Sequence, residues 1–235
     1  MFQFLSKLYF LQNSLARFIS QLIPPFLMHN LGKYFAIKKA FYLINLEDLA
    51  GEYIEFGVFT GSSMSCAMMS SRYSRVGNIK NRKFIGFDSF EGFGELNEKD
   101  KHPFYNNLNF KTDYKSVQKR LMSLKGSAEE VTLVKGFFNE TCDNIAPSTY
   151  GINLAAVVMI DNDTYSGAQS CFRFIEPILQ EGTIIILDDF FSYKGSDEKG
   201  LCGAFTEFAI VSKFKFRQIS DYGMGGVLMI VSGLK

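Results

Sequence analysis

The sequence has 235 residues, enough for one α/β domain with a large core and at most a small appendage. Its 25 Lys and Arg nearly balance its 24 Asp and Glu, which argues against nucleic-acid or polyanion binding driven by bulk charge. Four cysteines (Cys66, Cys142, Cys171 and Cys202) without CxxC spacing argue against a zinc knuckle or a disulfide framework. They fit a reducing, cytoplasmic compartment.

From Phe2 to Ile23, apolar residues (Phe4, Leu5, Leu8, Leu11, Leu15, Phe18, Ile19, Leu22) recur at helical spacing. Gln12, Asn13, Arg17 and Gln21 interrupt the run and no small-residue cleavage site follows, so neither a signal peptide nor a membrane span is expected. Pro24-Pro25 should stop this helix. Its apolar side is expected to pack on its own domain or on a second copy of the chain; Lys7 and Arg17 are too few for a membrane-binding basic face. Leu31 to Leu49 reads as a second helix, so residues 1–50 form a helical extension, a lid or an oligomer contact.

From residue 51 to 235 the pattern changes. Tyr53 to Phe56 reads as a strand, Gly57 to Gly61 as a turn and Ser62 to Ser71 as a helix. Lys83 to Phe87 is the next strand, ending at Asp88, with a loop insertion expected between Tyr73 and Arg82. Glu91 to Lys111 is a long polar loop with interspersed aromatics (Phe93, Phe104, Tyr105, Phe110), of the kind that covers a site or moves. A helix (Asp113 to Leu124), a strand (Val131 to Lys135) and a short helix (Phe138 to Ile145) follow. Then come a strand ending at Asp161, a helix from Tyr165 to Leu179 and a strand from Thr183 to Asp188. Strands alternating with helices predict a mostly parallel, Rossmann-like sheet. Two strands, Lys213 to Ile219 and Val227 to Val231, joined by a glycine-rich turn, predict an antiparallel hairpin at its end. That layout is the seven-stranded one of class I methyltransferases.

The two runs Val157 to Ile160 and Thr183 to Leu187 are apolar throughout, as strands buried on both faces are, and each ends in aspartates. Ligands of parallel sheets lie beyond the carboxyl ends of the strands. Asp161, Asp163, Asp188 and Asp189 would therefore meet at one rim, where they repel one another unless something positive lies between them. A hard divalent cation, Mg²⁺ above all, meets that need. Helix capping is the structural alternative for any one of them, Asp163 included. Neither His29 nor His102 has metal-ligand spacing, so a metal would be held by oxygen, and His102 is expected as a solvated loop residue. Glu55-Phe-Gly57-Val-Phe-Thr-Gly61 places a tight turn after the first strand. Glu55 there could receive an ammonium but would repel a pyrophosphate, and Asp88 could accept ribose hydroxyls.

The motifs Gly51-Glu-Tyr-Ile-Glu55-Phe-Gly-Val-Phe-Thr-Gly61-Ser, Gly86-Phe-Asp88-Ser-Phe-Glu-Gly92, Lys135-Gly136-Phe-Phe-Asn-Glu-Thr141, Ile160-Asp161-Asn-Asp163-Thr-Tyr165-Ser and Ile186-Leu-Asp188-Asp189 resemble the macrocin O-methyltransferase family over about Gly51 to Ala204. The resemblance implies methylation of a sugar hydroxyl with S-adenosylmethionine and Mg²⁺ (or Mn²⁺). It implies metal ligands Asp161, Asp188 and Asp189, with Asp163 as base beside Asp161. Cofactor contacts are implied at Glu55, Gly57, Val58, Thr60, Gly61, Ser62, Asp88, Ser89, Gly136 and Asp161. Asn162 departs from the small residue expected between the two aspartates. With no histidine near these motifs, a carboxylate is the base to expect. The partners implied are a small-molecule or saccharide acceptor and a second copy through the N-terminal helices, with no nucleic acid and no stable membrane insertion. Rival readings are a metal-dependent methyltransferase of catechols or other diols, and a non-catalytic binding subunit, which would not need its carboxylates.

Overall fold

The computed structural model describes residues 2–73, 77, 82–105, 110–125 and 130–235, for 2–5 the backbone alone. The expected insertion between Tyr73 and Arg82 therefore lies mostly outside the described residues. Seven strands form one sheet: β1 (Glu52–Phe56), β2 (Lys83–Asp88), β3 (Glu130–Lys135), β4 (Ala155–Ile160), β5 (Ile184–Leu187), β6 (Phe214–Tyr222) and β7 (Gly226–Leu234). Their order is β3-β2-β1-β4-β5-β7-β6. The first five are parallel, and β7 runs antiparallel between β5 and β6. This is the parallel sheet finished by a hairpin that the sequence predicts.

Alternation along each strand feeds two hydrophobic layers. On one face Ile54, Phe56, Val158, Ile160, Ile185 and Leu187 pack against α6 (Tyr165–Ile175) and α8 (Gly200–Val211). On the other, Tyr53, Phe84, Val157, Met159, Ile184 and Ile186 pack against α2 (Pro25–Leu46), α3 (Ser62–Tyr73) and α4 (Tyr114–Leu124). Two one-turn segments, α5 (Phe138–Thr141) and α7 (Ser192–Gly195), connect elements near the strand ends.

Several expected boundaries move. Pro25 occupies the first turn of α2, a position where proline's missing N–H costs nothing, so this helix begins six residues before Leu31. The helix expected from Phe138 to Ile145 is the single turn of α5, and α6 yields at Ile175 to a 3₁₀ turn (Glu176–Ile178) containing Pro177. The helix α8 has no counterpart in the sequence reading. Nor is all of the N-terminal segment an appendage, because Ile37, Ala40, Phe41 and Ile44 of α2 are core residues. Gly32 makes its closest approach possible: a Cβ there would stand 2.4 Å from the backbone nitrogen of Gly223, in the β6–β7 turn. Only α1 (Phe2–Leu22) stands off, with Leu8, Leu11, Leu15, Phe18 and Leu22 exposed, so it does not pack on its own domain.

Candidate active site

The carboxyl ends of β1 to β4 open into a cleft of about 630 Å³ lined by Gly57, Asp88, Ser89, Gly136, Asp161 and Asp163, with Phe93, Phe110 and Phe137 among its apolar walls. Gly57 adopts φ +92°, and a Cβ there would come within 1.8 Å of the Asp161 carbonyl oxygen, so no side chain fits the turn. Asp88 accepts hydrogen bonds from the backbone nitrogens of Phe59 (2.7 Å) and Phe90 (2.6 Å). Burial raises its pKa against the pull of those N–H groups. Asn162 also borders the cleft; its Nδ2 donates to Cys171 Sγ, while its buried Oδ1 has no partner among the described residues and is free to take a ligand's donor.

Glu55 is placed elsewhere. Its side chain is fully buried under the turn, and its two oxygens accept from the Tyr53 hydroxyl and from Ser63 Oγ (2.6 Å). Burial lifts its pKa to about 7 despite those donors. The ammonium contact expected of it therefore meets oxygens already engaged. Val58 is buried against Gly86, and Thr60, Gly61 and Ser62 shape the entry to α3; none of them borders the cleft.

The four aspartates do converge, with Asp161 and Asp163 on the cleft wall, and positive groups do lie among them. They are side chains of α2. Lys33 Nζ lies 2.7 Å from Asp161 Oδ2 and 2.7 Å from Asp188 Oδ2. His29 Nε2 lies 3.0 and 3.1 Å from the two Asp188 oxygens, and the Tyr222 hydroxyl donates to Asp188 Oδ1 at 2.6 Å. The reading that no histidine lies near these motifs is thus overturned. Four residues apart on one helix, His29 and Lys33 share a face. Neither their distance along the chain from Asp188 nor their residue types single them out, and that spacing is the one signal that could have.

This splits the carboxylates. Burial works against ionised Asp188, but the Lys33 charge and the His29 hydrogen bond outweigh it and hold its pKa low. The hydrogen bond to Asp188 in turn raises the pKa of His29. Asp161 and Asp163 are pushed up, first by burial, then by Asp188 and Asp189 respectively. Asp161, Asp163 and Asp189 bring one oxygen each within 4.8 Å of one another; His29, Asp188 and Asp189 form a second such group. The all-oxygen group suits a hard divalent cation, which would take the place of the protons that burial and the neighbouring carboxylates favour on Asp161 and Asp163. Asp163 (φ 59°) and Asp189 (φ 46°) hold left-handed backbone, as do Phe59 and Phe90 across the cleft. Such strain, of order 1–3 kcal/mol per residue, gathers at functional sites. Asp163 does not cap α6: Thr164 is the N-cap, its side chain accepting from the Gly167 nitrogen.

The described part of the polar loop is pinned at both its neck and its middle. A bridge between Glu91 and Lys111 closes its neck, and buried Asp100 accepts from Ser166 N (3.1 Å) and Oγ (2.8 Å) at the start of α6. The Tyr193 hydroxyl is 3.0 Å from the carbonyl oxygens of both Asp100 and Asp163, tying the loop to the acidic rim. His102 is a partly exposed loop residue whose ring also packs, 4.3 Å from Tyr105 and 4.8 Å from Tyr193 between centroids. Tyr105 turns its hydroxyl to Ser192 Oγ at 2.8 Å, beside Asp189.

The sequence model of the macrocin-O-methyltransferase (TylF) family matches residues 24–208. No curated protein matches the chain. Among solved structures, the O-methyltransferase NovP is 18% identical, with a TM-score of 0.68 over 86% of this chain and 80% of its own. CalS11, a TDP-rhamnose 3′-O-methyltransferase of calicheamicin biosynthesis, is 16% identical (TM-score 0.57, 93% and 85% covered). An O-methyltransferase from Bacillus cereus in complex with SAH is 13% identical (TM-score 0.55, 96% and 90% covered). At these identities the likeness speaks for the fold.

Proposed function

The chain belongs to the macrocin-O-methyltransferase family and is an S-adenosylmethionine-dependent O-methyltransferase, and from that premise we propose that it methylates a sugar hydroxyl with the help of Mg²⁺. The observation that carries the proposal is the trio Asp161, Asp163 and Asp189, gathered within 4.8 Å where Asp161 and Asp163 line a cleft whose other wall is the Gly57 turn and Asp88. CalS11, which shares the fold, acts on a sugar, and that supports the acceptor class.

In this reading Asp88 takes the cofactor ribose hydroxyls, and the glycine turns at Gly57 and Gly136 let the ligand approach the backbone. Asp161, Asp163 and Asp189 would hold the cation, which supplies acidity to the acceptor hydroxyl. Asp163 takes the hydroxyl proton. The Tyr193 contact to its carbonyl fixes the backbone that aims it. Asp188, engaged by His29, Lys33 and Tyr222, serves as the anchor that docks α2 against the rim. Phe93 and Phe110 of the loop line the cleft, and their rings would offer flat faces to the apolar side of a sugar ring.

The test is a mass-spectrometric screen for transfer of a methyl group to nucleotide sugars, glycosides and catechols. Methylated sugar supports the proposal. Turnover of catechols alone would replace the acceptor class while leaving the site.

A further inference from the structure

We propose that α1 and the outer face of α2 dock the enzyme on an anionic phospholipid surface. The first 46 residues carry no Asp or Glu, although the chain has 24, and their charged residues are Lys7, Arg17, Lys33, Lys38 and Lys39. Lys33 is spent on the acidic rim, whereas the other four are exposed, so Lys38 and Lys39 of α2 add to the two cations of α1 that by themselves are too few for a basic face. Along α1, Leu8, Leu11, Leu15, Phe18, Ile19 and Leu22 fall on one stripe and are 44–65% exposed, while Asn13, Arg17, Ser20 and Gln21 lie on the opposite side together with exposed Phe10. α2 repeats the pattern outside its core-facing side, with Phe26, Leu31, Phe35 and Tyr42 exposed beside Lys38 and Lys39. Among the described residues, nothing covers either face.

An apolar stripe flanked only by cations suits the boundary between headgroups and acyl chains of an anionic leaflet. Among the described residues no helix is long and apolar enough to cross a membrane, so α1 would lie in the surface. A second copy is the weaker occupant. A contact joining two such stripes leaves the cations of both copies with no acid on either helix to pair with, whereas an anionic leaflet supplies the counter-charge. Adsorption would also keep the catalytic cleft close to the lipid, because Phe26 lies one turn before His29, which touches Asp188.

The experiment is sedimentation of the full chain with vesicles of phosphatidylcholine alone and of phosphatidylcholine with phosphatidylglycerol, alongside light scattering. The expected result is pelleting with the anionic vesicles that weakens in high salt. Lys7→Gln with Arg17→Gln should weaken it roughly 25-fold, about fivefold per charge. Leu15→Gln with Phe18→Gln and Ile19→Gln should abolish it, with calorimetric binding of S-adenosylmethionine retained as the check on folding. Absent pelleting, or equal pelleting on neutral vesicles, overturns the proposal. A dimer that the Leu15, Phe18 and Ile19 substitutions dissolve, without vesicle binding, assigns the face to a second copy instead.

Discussion

Replacing Glu55 by Gln should make the protein less sensitive to alkaline pH. Glu55 is wholly buried in β1, and its pKa stands at about 7 against an ordinary 4.5. Between those values the native state holds a proton that the unfolded chain has released, so stability falls as pH rises from 4.5 and the loss is complete above about 7. At about 1.4 kcal/mol per pH unit, the ionised native carboxylate costs on the order of 3 kcal/mol. Gln keeps the volume and the acceptor for Ser63 and cannot ionise. Thermal melts of both proteins at pH 5 and pH 8 isolate the effect, because every other titrating group is common to the pair. The wild type should lose about 3 kcal/mol more than the variant over that interval, roughly 6–12 °C in Tm for a chain of this size. Parallel profiles would refute the claim that Glu55 is an isolated buried acid held by Tyr53 and Ser63.

Asp163→Asn should lower kcat by roughly 10²–10⁴ with cofactor affinity nearly unchanged, measured by steady-state kinetics and calorimetry. Its Tm should not drop by the ~1 kcal/mol of a lost cap, since Thr164 caps α6. Lys33→Met removes the ammonium shared by Asp161 and Asp188, and should cost about 3–5 kcal/mol in cation-free protein. Millimolar Mg²⁺ should raise the melting temperature of that variant more than that of the wild type. Asp88→Ala should weaken S-adenosylmethionine binding by about 1.5–3 kcal/mol in calorimetry, the worth of hydrogen bonds to a charged group.

The sheet was legible because its strands advertise themselves. β4 and β5 are unbroken apolar runs, and a run that must be apolar on both faces can only be a central strand. Their terminal aspartates were legible for the same reason, as the first polar residues after a buried strand. The helix α8 was not: Gly200 to Val211 is apolar almost all round, sandwiched between α6 and β6, so no stripe reveals its period. The proline pair misled because Pro25 opens a helix as readily as Pro24 ends one. The other half of the acidic rim was beyond reach, since His29 and Lys33 meet Asp188 and Asp161 only through the docking of α2 at Gly32, across 159 and 128 residues of chain. Glu55 is a different case: its motif fixes where the backbone goes, but its side-chain partners, Tyr53 two residues before and Ser63 eight after, follow from the strand's buried face.

The most direct test is methyl transfer from S-adenosylmethionine to a sugar acceptor by the wild type, assayed with excess EDTA and again after Mg²⁺ is restored. Turnover should vanish with chelator and return with Mg²⁺, because Asp161, Asp163 and Asp189 offer a hard cation three carboxylate oxygens within 4.8 Å of one another. Full turnover in EDTA would contradict that account and leave Lys33 as the cation that serves the site.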